Sequence, residues 1–391
     1  MILNRHKNWK RWSSASQLPK AKPIQLFREL ENGNPGTSYK NKGVEGRLEM
    51  NMNPWAIFDH GVIGMQSKNR VFSALGDEAV VPRSSIDSFA FFTLQDIETE
   101  ALNYEIGMRV EQQFIDPEGI RKSSHTPVSA STSALWKITG QESIELSFSR
   151  SQRAPDVQEL FAEGPHLATN SFDEGDPGLV EETSRYLELG IHIDRSWMQL
   201  NFNIYQNWMK NYISKVNTRM FFDQQTGNIG NVCNSGNCLP VFKTMQGGAT
   251  FSGYEAQVNI PLLDTAYGGL QTQLFSDYVR GRFVHGGDIP RMPPLRYGLQ
   301  LAWADDLWGI NLRLTRAVAQ NHPGNNESKT KGYWLLNSSA NYRYEVNEKS
   351  SLLFVKGNNL LNQEIRNSTS FLRNISPQAG RGVELGLRIV F

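Results

Sequence analysis

The sequence is first informative for what it lacks. Its 391 residues contain no run approaching the roughly 18 consecutive apolar residues of a membrane-crossing helix, so helical membrane proteins are excluded. A surplus of one charge is missing too: 40 basic residues balance 39 acidic ones, for a formal net charge of +1. No global field recruits nucleic acid, which is set aside as a partner. Nucleophile-and-base signatures such as G-x-S-x-G and H-E-x-x-H are absent, as is the phosphate-binding G-x-x-x-x-G-K, so neither an enzyme nor a resident cofactor is expected. Cysteine is scarce. Cys233 and Cys238 stand in the polar stretch GNVCNSGNCLP, either as a short-range disulfide at a loop tip or as two free thiols, and nothing beside them completes a zinc site. The opening MILNRHKNWKRWSSASQLPK is basic but has no apolar core or small-residue cleavage site of a secretory signal.

What the sequence does have is period-two alternation. Leu187, Leu189, Ile191 and Ile193 alternate with Glu188, Gly190, His192 and Asp194, and Met198, Leu200, Phe202 and Ile204 with Gln199, Asn201, Asn203 and Tyr205. The same pattern recurs over 102–111, 144–149 and 295–303. A water-facing β-sandwich would alternate equally well, so connection lengths decide. Tight links at 53–59, 97–100, 139–141, 195–196 and 304–307 alternate with long polar ones at 68–86, 115–125, 152–181, 217–247, 284–293, 321–331 and 362–379. Outer-membrane barrels sort their turns this way, and a low mean hydropathy does not exclude them because only one face of each strand is greasy. Trp55, Trp136, Trp197, Trp303 and Trp308 sit beside the tight links, where an aromatic girdle belongs. In the final GVELGLRIVF, Val383, Leu385, Leu387, Ile389 and Phe391 share one face. The expectation is all-β: an antiparallel transmembrane β-barrel portion over 35–391, with about fifteen strands, behind a poorly patterned segment 1–34.

Specific motifs add a family. SRSQRAPDVQELFAEGPHLAT (149–169) with FDEGDPGLVEETSRYLELGI (172–191), KGNNLLNQ (356–363), FSALGDEAVVP (72–82) and IPRMPPLRYGL (289–299) resemble the barrel of TonB-dependent receptors, most closely those of the zinc and metal-uptake branch. The resemblance implies an outer-membrane importer of a metal ion or metal chelate in a Gram-negative bacterium. It implies membrane lipid and the barrel-assembly machinery, which reads a terminal strand ending in Phe391, as partners. TonB would be met only through a plug segment. That family has 22 strands and a plug domain, so the chain is expected to hold the last fifteen strands, with the plug and seven strands missing.

Within the first block, the residues alone assign roles. Arg153 and Glu159 are expected to pair at a loop base, to which the resemblance adds Pro155, Leu160, Phe161, Gly164 and Pro165, while Pro177 and its neighbouring glycine turn the chain. Direct ligand contact is the competing role. His166 shares its loop with Asp173, Glu174 and Asp176, an imidazole and oxygen set suited to a divalent metal. Two other functions fit alternation alone: a passive outer-membrane porin and a soluble all-β binding protein.

Overall fold

Backbone pairing converts the alternation into sheet. The computed structural model describes residues 14–21, 25–31, 34–76, 80–325, 327–346 and 349–389. Among them, fifteen strands of eight residues or more run from Asn34 to Ile389, and the chain divides into two compact units.

In the unit built from residues up to 135 with 147–186 and 209–248, strands Asn34–Met52, His60–Gly76, Ser84–Glu98 and Leu102–Pro117 pair antiparallel in chain order. Residues 14–21 and 25–31, weakly patterned in sequence, are strands. Strands Ser14–Ala21 and Gln25–Glu31 both pair with Asn34–Met52, which is therefore flanked on both sides. Pro19 and the charged residues Lys20, Arg28, Glu29 and Glu31 hide the alternation there, but a backbone ladder needs a neighbouring strand rather than an apolar pattern of its own.

In the other unit, residues 136–146, 187–208 and 249–391, the chain from Ala249 pairs antiparallel strand by strand through Gly268–Phe283, Arg296–Ala304, Trp308–Ala317, Tyr333–Val346, Lys349–Asn358 and Gly382–Ile389. One register shift falls between Pro261 and Leu263, where proline cannot donate to the ladder.

Turn chemistry fixes the tight links. Asp305 Oδ1 accepts the N–H groups of Leu307 (2.7 Å) and Trp308 (2.6 Å), turning the chain within three residues. A two-residue link at Ala266 and Tyr267 relies on Gly268, at φ 127°, where a Cβ would lie 2.8 Å from the Ala304 carbonyl oxygen. Several expected long loops are shorter than the sequence suggests: strands Met198–Asp223 and Cys238–Thr265 reduce 217–247 to 224–237. Pairing continues there although apolar alternation has stopped.

The apolar faces of these strands are exposed. Leu48 (45%), Phe91 (54%), Leu312 (41%) and many similar side chains are open to the surroundings. Such continuous apolar surface is untenable in water and natural in hydrocarbon. The buried apolar residues instead gather among the loops, in clusters around Leu160 and around Val241.

Candidate functional site

Strand Glu142–Arg153 ends where Ala154 and Pro155 become buried. A single helical turn, Val157–Phe161, follows because both of its first orphan donors are met. Asp156 Oδ1 accepts from Gln158 N–H (2.7 Å) and Glu159 N–H (3.3 Å), and Glu159 Oε2 accepts from Asp156 N–H (2.9 Å). Val157, Leu160 and Phe161 then bury against Val80, Val81, Ile115, Leu179 and Ile213, with Leu160 fully enclosed. Gly175 closes over this turn. A Cβ there would stand 2.7–2.8 Å from backbone atoms of Leu160, Phe161 and Ala162.

Glu159 has a second task. Its carboxylate takes two contacts from Arg153, at 2.8 and 3.1 Å. The same guanidinium reaches Glu182 Oε2 at 3.5 Å, and that oxygen accepts the Ile213 N–H at 2.7 Å. Both ends of the long connection 154–181 are thereby tied to one cation.

Gly164, Pro165 and His166 lie in strand Glu163–His166, antiparallel to Ser171–Glu174, with Gly164 opposite Asp173 and Pro165 opposite Phe172. Ser171–Glu174 in turn runs parallel to the start of Cys238–Thr265, placing Phe172 opposite Val241. Phe172 stacks on Phe222 at 4.3 Å, and Leu239 and Val241 complete the apolar cluster. Cys233 and Cys238 form a disulfide at its margin, with Cα atoms 5.9 Å apart.

Of the four residues suited to a metal, the structure brings two together. His166 Nδ1 is 3.3 Å from Asp173 Oδ2, while Glu174 lies at the far end of the strand pair and Asp176 Oδ1 accepts from the Gly178 N–H. Among the described residues, no group of three His, Cys, Asp or Glu side chains converges to hold a metal. Lys215 Nζ already sits 2.5 Å from Asp173 Oδ2, and Ser171 Oγ donates to Oδ1 at 3.0 Å. Asp173 is buried, which alone would push its pKa up. The hydrogen bonds from His166, Lys215 and Ser171 and the Lys215 charge outweigh burial and hold it below 3.8. A carboxylate so completely satisfied acts as a lock between loop and strand.

A comparable lock escaped sequence reading. His125 is buried between Glu181, Nδ1 to Oε1 3.4 Å, and Ser123, whose Oγ lies 2.7 Å from Nε2. Glu181 also accepts the Thr126 N–H at 3.0 Å. The long separation of His125 from Glu181 in the chain concealed it.

On the last described strand, Val383, Leu385, Leu387 and Ile389 are exposed, Leu385 most at 74%. Phe391 lies outside the described residues.

On the sheet face opposite the exposed leucines, residues 201–313 form a polar depression of about 370 Å³, with Asn203, Glu255, Gln273, Asp277, Arg296 and Arg313 in its wall. Arg296 pairs with Asp277 at 2.9 Å. The Arg313 guanidinium stacks 3.9 Å over Phe275 and donates to Gln300 Oε1 at 2.9 Å. Alternation has sorted the chain into a greasy face and a face that water and polar solutes can wet.

Comparison with known proteins gives this arrangement its context. A family model described as "TonB dependent receptor-like, beta-barrel" matches residues 10–360. The chain is similar in structure to the copper transporter OprC (TM-score 0.71, 15% identity), covering 90% of this chain and 56% of that one. It is also similar to the iron transporter FrpB from Neisseria meningitidis (TM-score 0.65, 15% identity, 90% and 55% covered). A third match is a ferric enterobactin receptor mutant from Pseudomonas aeruginosa (TM-score 0.63, 15% identity, 91% and 55% covered). The chain thus spans little more than half the length of each of these structures.

Proposed function

The chain belongs to the TonB-dependent receptor β-barrel family, and on that premise we propose that it supplies the wall and outer loops of an importer for a metal ion or metal chelate. Family members are transporters of the outer membrane rather than enzymes. The observation that carries the reading is the polar depression behind an exposed apolar face: lipid meets one side, and the other offers charged and amide groups to a solute. The metal class is supported by the similar copper transporter, iron transporter and ferric enterobactin receptor.

In this reading the loop block around Arg153 holds the outer loops in a fixed arrangement for capture, and energy arrives from TonB through a plug segment of the intact receptor. The barrel-assembly machinery would read the terminal strand. Uptake of radiolabelled zinc, copper and ferric enterobactin by cells making the chain together with a plug and the remaining strands, with and without TonB, tests the proposal. Accumulation of one of them that disappears without TonB is expected. Equal flux of unrelated small solutes in both backgrounds would assign a passive pore instead.

A further inference from the structure

The wall of the polar depression holds apart two charges that are not paired elsewhere. Asp277 and Arg296 lie opposite each other in adjacent strands and form an ion pair at 2.9 Å. Glu255 faces Asp277 from the other side, carboxylate beside carboxylate, and has no cationic partner among the described residues. Arg313 likewise has no carboxylate among them. Its half-buried guanidinium instead stacks 3.9 Å over the Phe275 ring and donates to Gln300 Oε1 at 2.9 Å. Gly298 makes this possible, because a Cβ there would stand 2.5 Å from the ring that now lies flat against the wall. Partly burying a charge without its counter-charge is costly, and such departures from local consistency gather at functional positions.

Register gives the spacing of the two charges. Phe275, under the guanidinium, lies opposite Gln257, which is two residues from Glu255 on the same strand. Guanidinium and carboxylate are therefore roughly 8 Å apart at ordinary strand spacing and rise. Two amides border the interval. Asn259 Oδ1 accepts from Gln273 Nε2 at 3.0 Å and from Gln257 Nε2 at 3.4 Å, while the carbonyl oxygens of both glutamines have no partner among the described residues. They stand as acceptors for N–H groups of a solute. Glu255 and Asp277 balance Arg296 and Arg313 within the depression, so neither a bare metal cation nor a polyanion meets a surplus of opposite charge there.

We propose that the depression binds a zwitterion of amino-acid type by its two ends, a carboxylate at Arg313 and an ammonium at Glu255, with N–H groups of the linking chain donating to Gln257 and Gln273. Guanidinium meets carboxylate in a planar two-point contact. Two to three residues of extended peptide, at about 3.5 Å each, span the gap. Resting on the importer reading, this narrows the imported chelate to one whose chelator is built from amino acids and keeps a free carboxylate and a free ammonium outside the metal.

Triglycine is the probe, set against N-acetyltriglycine, which lacks the ammonium, and triglycinamide, which lacks the carboxylate. Binding to the full chain, folded in detergent micelles and checked by heat-modifiable migration, is titrated by saturation-transfer NMR. Triglycine is expected to bind about ten-fold or more tightly than either capped form, since one charge-assisted hydrogen bond contributes about that much. Arg313→Gln should bind triglycine no better than triglycinamide, and Glu255→Gln no better than N-acetyltriglycine. Arg313→Lys, which keeps the charge, should keep part of the preference and reports if Arg313→Gln does not fold. Lys356→Gln, on the same sheet face but outside the depression, should match the unsubstituted chain. No saturable triglycine binding in the millimolar range, capped forms bound as tightly as triglycine, an unchanged preference in either glutamine variant, or an equal loss in Lys356→Gln would overturn the proposal. Metal uptake can fail through plug or TonB while this binding persists, and loss of the binding leaves TonB-dependent uptake standing, so the two readings fall separately.

Discussion

Arg153 and Glu159 meet through two parallel contacts, Nη1 to Oε2 at 2.8 Å and Nη2 to Oε1 at 3.1 Å, while the same carboxylate caps the helical turn that Asp156 begins. A single side chain thus joins strand end, turn and loop return. Glu159→Ala removes a reciprocal cap, worth about 1 kcal/mol, and a partly exposed ion pair, worth under about 1 kcal/mol. Hydrogen exchange should quicken across 154–181 while the strands keep their protection. Unchanged exchange in that segment would show the contact to be ornamental.

The turn is also held by packing. Leu160→Ala empties a fully buried position and should cost about 2–5 kcal/mol of loop stability. Gly175→Ala drives a methyl against three backbone positions that cannot move independently, and its effect should exceed that of an exposed glycine such as Gly140, where nothing lies within 4 Å. Limited proteolysis of the pair compares them directly.

Asp173 gives the loop an acid limit. Its folded pKa is below 3.8, so its contribution to stability is fully present above 3.8 and is lost as pH falls through the depressed folded value. Pepsin should cut within 163–174 increasingly below 3.8, and Asp173→Asn should flatten that dependence. Lys215→Ala should do more harm near neutral pH, because it leaves a buried carboxylate with one cationic partner fewer.

These loops also mark where sequence reading stopped. Period-two alternation made the lipid-crossing strands legible because hydrocarbon and lumen impose different chemistries on successive side chains. Outside the bilayer that pressure ends, so the extensions of Met198–Asp223 and Cys238–Thr265 and the strands Ser14–Ala21 and Gln25–Glu31 pair without advertising themselves. Arg153 and Glu159, six residues apart, could be paired on sight. Lys215 and Asp173, 42 apart, could not, and the acidic set around His166 therefore left a divalent metal open beside plain loop structure.

The disulfide closes only a short loop. Breaking it with Cys233→Ser should cost about 2 kcal/mol by chain-entropy reasoning. Proteinase K cleavage within 224–237, which offers Ile229 and Val232, should rise with reductant in the unsubstituted chain and be insensitive to it in the variant.

The strongest demand of the membrane reading falls on two residues that lie opposite faces apart. Leu312 is midway between Trp308 and Arg316 on the exposed apolar face, whereas Gln300 lies on the other face, where it accepts from Arg313. At the bilayer midplane a lysine on the lipid side costs about 2–4 kcal/mol. A lysine on the wet side keeps its hydration and pays mainly the repulsion of Arg313, under roughly 1 kcal/mol at such screening. Leu312→Lys should therefore shift the denaturant midpoint of the chain in vesicles by several times the shift of Gln300→Lys. In a soluble sheet the order would reverse, since a lysine replacing a water-exposed leucine improves the surface. Equal shifts, or a stabilised Leu312→Lys, would remove lipid from one face and with it the physical reason for the exposed leucines.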